Sequence, residues 1–166
     1  MRLKSHKKVK QQRRVLLLAL YVLKKRHGVS APPKKQVIGF IEIHRLMHVP
    51  EGDLLLRSSG EPVWKNDLSW KREDLKESGL LQMPQHGVWQ LTKLGEQEVE
   101  AWALRVKEVT EKRPDWAKEM KVQSEQENEV SGDFHFEFYI TENTVREALK
   151  IALELGASYN STPSRP

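Results

Sequence analysis

Nine consecutive apolar residues, Val15 to Leu23, lie between a basic leader and the cationic triplet Lys24-Lys25-Arg26. A helix that is apolar on every side must be buried on every side. The run is far shorter than the roughly 20 residues that cross a bilayer. It is followed at once by charge rather than by a small-residue cleavage site, so it is not a secretory leader. It therefore predicts a core helix from about Ser5 to Arg26, with Leu16, Leu20 and Leu23 on one face, Leu17 beside them, and His27-Gly28 at its end. The protein is expected to remain in the cytoplasm, with no membrane partner.

The segments that follow repeat the logic of a small helical core. Val37, Ile38, Phe40, Ile41 and Ile43 predict a second buried helix from about Lys34 to Met47. Pro50 to Asp53 is a turn, Leu54–Leu56 a short strand or helical turn, and Ser58 to Pro62 a loop. Trp64, Leu68, Lys71 and Leu75 share a face of a third helix, Trp64 to Ser78, with Lys71 contributing its aliphatic stem. Two short apolar runs, Leu80–Met83 and Val88–Thr92, flank Pro84-Gln85-His86-Gly87 and predict a β-hairpin. Thr92 is suited to cap a fourth helix carrying Val99, Trp102, Ala103 and Val106. Residues 110–131 read as a polar linker, and Phe134, Phe136 and Phe138 as alternate positions of a strand. Thr141 or Asn143 then caps a last helix, with Val145, Ala148, Leu149 and Ala152 in one stripe and Gly156 at its end. The expected fold class is α+β, mainly helical. A winged helix-turn-helix domain (1–109) is followed by the linker, a small C-terminal strand–helix unit (132–157) and a disordered tail (158–166).

Charge is distributed unevenly over this plan. Residues 1–45 carry 13 Lys/Arg and one acid, Glu42, whereas the remaining two thirds are mildly acidic and the whole chain is +5. A basic head on an acidic body favours a polyanionic partner. The absence of cysteine excludes a disulfide framework and a Cys-based zinc site, and fits a reducing compartment.

Three helices, a hairpin and a helix is the order of a winged helix, and here the residues themselves resemble a family. Ser58-Ser59-Gly60-Glu61, Trp70, Leu75, Ser78-Gly79-Leu80-Leu81, His86-Gly87-Val88-Trp89-Gln90-Leu91-Thr92 and Gly95 stand in the order and spacing of the N-terminal domain of Mrr-type restriction endonucleases, across about 36–100. Lys71 departs from the small residue usual after the Trp. The resemblance implies a winged-helix fold, DNA recognition tied to restriction of foreign and often modified DNA, and a nuclease partner.

The expected partner is double-stranded DNA, modified or unmodified. Lys7, Lys8, Lys10, Arg13 and Arg14 are placed to follow the phosphate backbone, with Lys34 and Lys35 at the start of the second helix. Along the third helix, Lys65, Ser69, Arg72 and Lys76 form one flank, with Arg72 suited to guanine and Asn66 to adenine. Gln85 and His86 stand at the wing tip. Asp67, Asp74 and Glu77 on the same helix would repel phosphates and must point elsewhere. Trp70, off the core face, is expected to pack on the first helix, the alternative being that it reaches the DNA or a partner. The cations of the head are expected to share a surface with the wing tip.

Catalytic and metal readings are weak. Glu119-Met120-Lys121 has the letters of a nuclease motif but no strand pattern around it. Asp133, His135 and Glu137 read as the wet side of a strand. His44 and His48 lack a third ligand. No enzyme activity, cofactor or metal is expected. The alternative reading is a protein-interaction module, either a homodimer paired through the phenylalanine strand or a dock for a nuclease, or else a remnant of an Mrr-type enzyme.

Overall fold

The computed structural model describes residues 2–49, 54–112 and 141–160, with side chains from Gln11 to Gly156 within those ranges. The elements are helices α1 (Arg2–His27), α2 (Lys34–Ile43) and α3 (Val63–Glu77), strands β1 (Leu81–Gln82) and β2 (Gln90–Leu91), then α4 (Lys93–Lys112) and α5 (Glu142–Asn160). Three helices followed by a two-stranded hairpin make this a winged helix-turn-helix fold, extended by α4 and α5. The phenylalanine strand, the Glu119–Lys121 motif and the Asp133–Glu137 cluster lie outside the described residues.

The apolar run of α1 is the axis of the core. Every residue from Val15 to Leu23 is buried, and α1 packs against α2, α3, α4, α5 and β2. Leu16, Leu18 and Leu20 are joined by Ile41, Leu46, Leu68, Leu75, Leu81, Trp89 and Ile151, all almost fully enclosed. Each such side chain stabilises the fold by roughly 1.5–3 kcal/mol, so this one helix supplies much of the driving force.

The hairpin pairs Leu81 with Leu91 and Gln82 with Gln90, antiparallel. Its second arm also bridges the α1–α2 connector at Pro33–Val88. Trp89 N–H donates to Pro32 O at 2.9 Å and Lys34 N–H to Gly87 O at 3.1 Å. The wing is thereby fastened to the start of α2. Leu56, which sequence left between strand and turn, forms a β-bridge to Pro62.

Two helix ends differ from expectation. The second helix stops at Ile43, not Met47. Leu46 N–H donates to Ile41 O at 3.0 Å and Arg45 N–H to Glu42 O at 3.2 Å, while Arg45 takes φ +50°. This is a Schellman ending with arginine in the left-handed position where glycine is usual. The same bond pattern closes α3, where Gly79 does occupy that position at φ +77°. The last helix continues through Gly156 to Asn160.

Helix α5 packs mainly on α4 and also touches α1. Val145, Ala148, Ile151 and Ala152 are buried in the common core. Thr141, not Asn143, caps its start, accepting Thr144 N–H at 3.3 Å. The same residues close the end of α2. Thr141 Oγ1 donates to Arg45 O at 2.6 Å, Asn143 Nδ2 to His44 O at 3.0 Å, and Thr144 Oγ1 to Leu46 O. Arg26 of α1 pairs with Glu147 and Glu154 across the same seam.

Candidate nucleic-acid interface

Helix α3 is held by one face. Trp64, Leu68 and Leu75 enter the core, and the Lys71 side chain is only 15% exposed, its stem lying along that face. At 100° per residue, Asn66, Ser69, Trp70 and Glu73 then point outward. Trp70 is 63% exposed. It does not pack on α1; its angular position lies too far from the Trp64–Leu68–Leu75 stripe to reach the core.

Arg57 joins this outer face from the α2–α3 loop. The loop is closed by Arg57 N–H to Glu61 O at 2.9 Å and Gly60 N–H to Arg57 O at 2.8 Å. With the Asn66 amide turned to satisfy both neighbours, its Oδ1 accepts from the Arg57 guanidinium and from Trp70 Nε1, the latter at 3.1 Å. The three side chains form a connected polar–aromatic cluster on solvent-facing α3. Since Oδ1 is already engaged, Asn66 presents its Nδ2 donors. That suits an acceptor such as N7 or O6 of guanine better than the donor–acceptor pair of adenine anticipated from sequence.

The flank expected to face DNA is largely turned to other work. Arg72 donates to Met83 Sδ on the wing at 2.6 Å, pairs with Glu73 at 2.7 Å and lies over the Trp89 ring at 5.9 Å. It is a strut between α3 and the hairpin. Lys65 pairs with Glu42 of α2 at 3.3 Å and covers the Trp64 ring. Ser69 Oγ donates to Lys65 O at 3.3 Å. Lys76 is exposed. Of the acids that sequence set against DNA binding, Asp74 has a cationic neighbour in Lys71, and the neighbouring Glu73 pairs with Arg72.

Lys34 pairs with Glu61 at 2.7 Å, tying α2 to the loop that carries Arg57, and Lys35 is exposed. Gln85 and His86 are exposed at the wing tip. The head is divided: Lys34, whose N–H donates to Gly87 O, and Lys35 adjoin the wing tip, whereas Arg13 and Arg14 lie away from it. Arg13 donates to Ser78 Oγ at 3.1 Å, and Arg14 lies over the Trp102 ring at 5.8 Å. Both sit beside the base of the hairpin, while its tip is bonded to Pro32–Lys34, beyond the far end of α1. Thirteen residues of helix, about 20 Å, separate Arg14 from His27. Lys7, Lys8 and Lys10 have helical backbone, with side chains outside the described set. His44 stacks on Phe40, ring centres 4.2 Å apart. Among the described residues no cluster of three or more His, Asp or Glu is arranged for a metal ion. No described helix is long and apolar enough to cross a membrane.

Residues 14–101, just over half of the chain, match the family profile of the Mrr N-terminal domain. The chain belongs to that family. The match runs from Arg14 in α1 to Ala101 in α4, so the Mrr N-terminal domain coincides with the winged helix, including an α1 that lay outside the sequence resemblance. This family is associated with Mrr restriction systems. No curated protein and no solved structure matches the chain. Arg57 was not anticipated as a site residue of this Mrr N-terminal domain. Only its position just ahead of a Ser-Ser-Gly turn hinted that it folds back on α3.

Proposed function

We propose that this chain is a double-stranded DNA-binding module of a restriction system, a recognition unit or regulator without nuclease activity of its own. The observation that carries the reading is the Arg57–Asn66–Trp70 cluster on the outer face of α3. In a winged helix this is the helix whose width suits the major groove. A large indole left in solvent, hydrogen-bonded to an amide that also holds a guanidinium, has little structural purpose. It combines the donors that read base edges with an apolar surface that meets a pyrimidine methyl. Lys35, Lys76 and the basic head of α1 supply attraction to phosphates.

The test is a salt titration of binding to modified and unmodified duplexes. Binding should weaken with log salt at a slope of roughly −0.9 per phosphate contact. Flat salt dependence, or no duplex binding at low salt, defeats the proposal. Plasmid that is nicked with magnesium by the purified chain defeats its second half. A homodimer is the second reading, favoured by Ile43, 78% exposed, and by exposed Leu55 and Leu56. Light scattering at increasing concentration decides it.

A further inference from the structure

The end of α2, the residues 47–49 that follow it and the start of α3 border a cleft of about 370 Å³, whose lining includes Ile41, Met47, Val49, Leu54, Trp64 and Thr141. All but Thr141 are apolar. Ile41, Met47 and Trp64 are buried, whereas Leu54 is 54% exposed. None of these side chains is among the groups assigned to DNA. Thr141 is pinned at the cleft: its Oγ1 donates to Arg45 O at 2.6 Å, and Asn143 and Thr144 hold the carbonyls of His44 and Leu46. The chain that precedes Thr141 must therefore arrive at this spot.

We propose that this cleft is the docking site of the chain's own segment Phe134–Ile140, whose apolar side chains rest on Met47, Val49, Leu54 and Trp64. The segment reads Phe134-His135-Phe136-Glu137-Phe138-Tyr139-Ile140. At the two-residue period of an extended chain, Phe134, Phe136, Phe138 and Ile140 share one side, and His135, Glu137 and Tyr139 the other. One side meets the cleft and the other meets water. Reach is no obstacle: at about 3.5 Å per residue, Phe138 lies within about 11 Å of Thr141 and Phe134 within about 25 Å. The volume is near the lower end for small-molecule pockets, with room for aromatic side chains rather than for a helix. Covalent continuity selects this occupant over others. A segment already joined to Thr141 meets the cleft at an effective concentration on the order of millimolar, well above that of a second copy or a separate partner in dilute solution. Duplex binding plays no part in it.

The chain contains no cysteine, so engineered thiols report without background. The experiment uses the full chain carrying Leu54→Cys, at an exposed position, together with Phe138→Cys, treated with a short bismaleimide in dilute solution. The two thiols should be joined within one chain, in a product of monomer mass. Leu54→Cys paired with Lys121→Cys, outside the segment, should give at least fivefold less of the joined product. A second measurement leaves Leu54 and Phe138 untouched. The thiol of Val49→Cys should react with maleimide at least tenfold faster once Phe134, Phe136 and Phe138 are all replaced by serine, and an added peptide of residues 133–141 should slow it again saturably. Products joined between two chains instead of within one would give the cleft to a second copy and overturn the proposal. Equal yields from the two cysteine pairs, or a Val49→Cys reactivity indifferent to the serine replacements, would overturn it as well.

Discussion

Gly95 lies directly beneath the carbonyl of Leu80: a Cβ at position 95 would stand 2.1 Å from Leu80 O and 2.7 Å from Leu91 Cδ1. The first turn of α4 and the base of the wing are pressed together at the one place where no side chain fits. Gly95→Ala must push backbone away from backbone. It should lower stability by about 3 kcal/mol, near the upper end of overpacking penalties, measured by urea unfolding. A variant as stable as the parent would show that α4 does not seat against the wing in this way.

Thr92 holds the other side of that junction. Its Oγ1 accepts Gly95 N–H at 3.1 Å and donates to Gly79 O at 2.7 Å. Thr92→Ala loses both bonds and should cost about 1–2 kcal/mol, whereas Thr92→Ser keeps the hydroxyl and most of the stability. Equal losses in the two variants would point to the methyl group instead.

Tyr21 donates to Glu100 Oε1 at 3.0 Å. Burial first, and then this bond and the charge of Glu100, push the phenol well above its ordinary value. With the folded value raised, the stabilisation is fully present below the ordinary tyrosine range. It is lost as pH rises through that range towards the folded value. Tyr21→Phe should flatten this alkaline loss and cost about 1 kcal/mol at neutral pH. Unfolding midpoints measured from pH 7 to 11 give the comparison.

Glu96 behaves oppositely. Burial alone would raise its carboxyl, but the hydrogen bond from Lys24 and the charges of Lys25 and Lys24 outweigh it and hold the value down. That stability is present above the ordinary carboxylate range and is lost as pH falls through the folded value. Glu96→Gln should remove about 1 kcal/mol at neutral pH and less in acid. A loss of the same size at every pH would mean that packing, not charge, sets its contribution.

Trp70→Ala tests the outer face of α3. The residue is exposed, so stability should change by no more than about 0.5 kcal/mol. Duplex affinity should fall roughly tenfold, the scale of one base contact. A fall in stability with unchanged affinity would make Trp70 a structural residue.

How far the sequence could be read depended on whether a local pattern carried the information. The burial of Val15–Leu23, the Gly28 end of α1 and the Thr92 cap follow from residues near one another in the chain, and all are legible. The end of α2 was not, because Arg45 occupies a left-handed position that sequence assigns to glycine. The helical angle alone turns Arg72 towards DNA. Its partners, Met83 and Trp89, belong to the hairpin, and no helical projection includes them. The helical angle puts Trp70 off the core face, and its exposure follows that geometry rather than the general tendency of aromatics to be buried. The docking of Thr141, Asn143 and Thr144 on the turn at 44–46 has no sequence signal, since it joins residues almost a hundred positions apart.

That last separation governs how the protein is made. Thr144 reaches Leu46 O across 98 positions, so the carbonyls that end α2 emerge from the ribosome long before the hydroxyls and amide that satisfy them. At about 5–20 residues per second the nascent chain carries an unfinished helix-turn-helix for roughly 5–20 s. Translation pauses between codons 113 and 144 would lengthen that interval, and slow synthesis there should reduce the yield of folded protein even though the coding sequence of the winged helix is untouched.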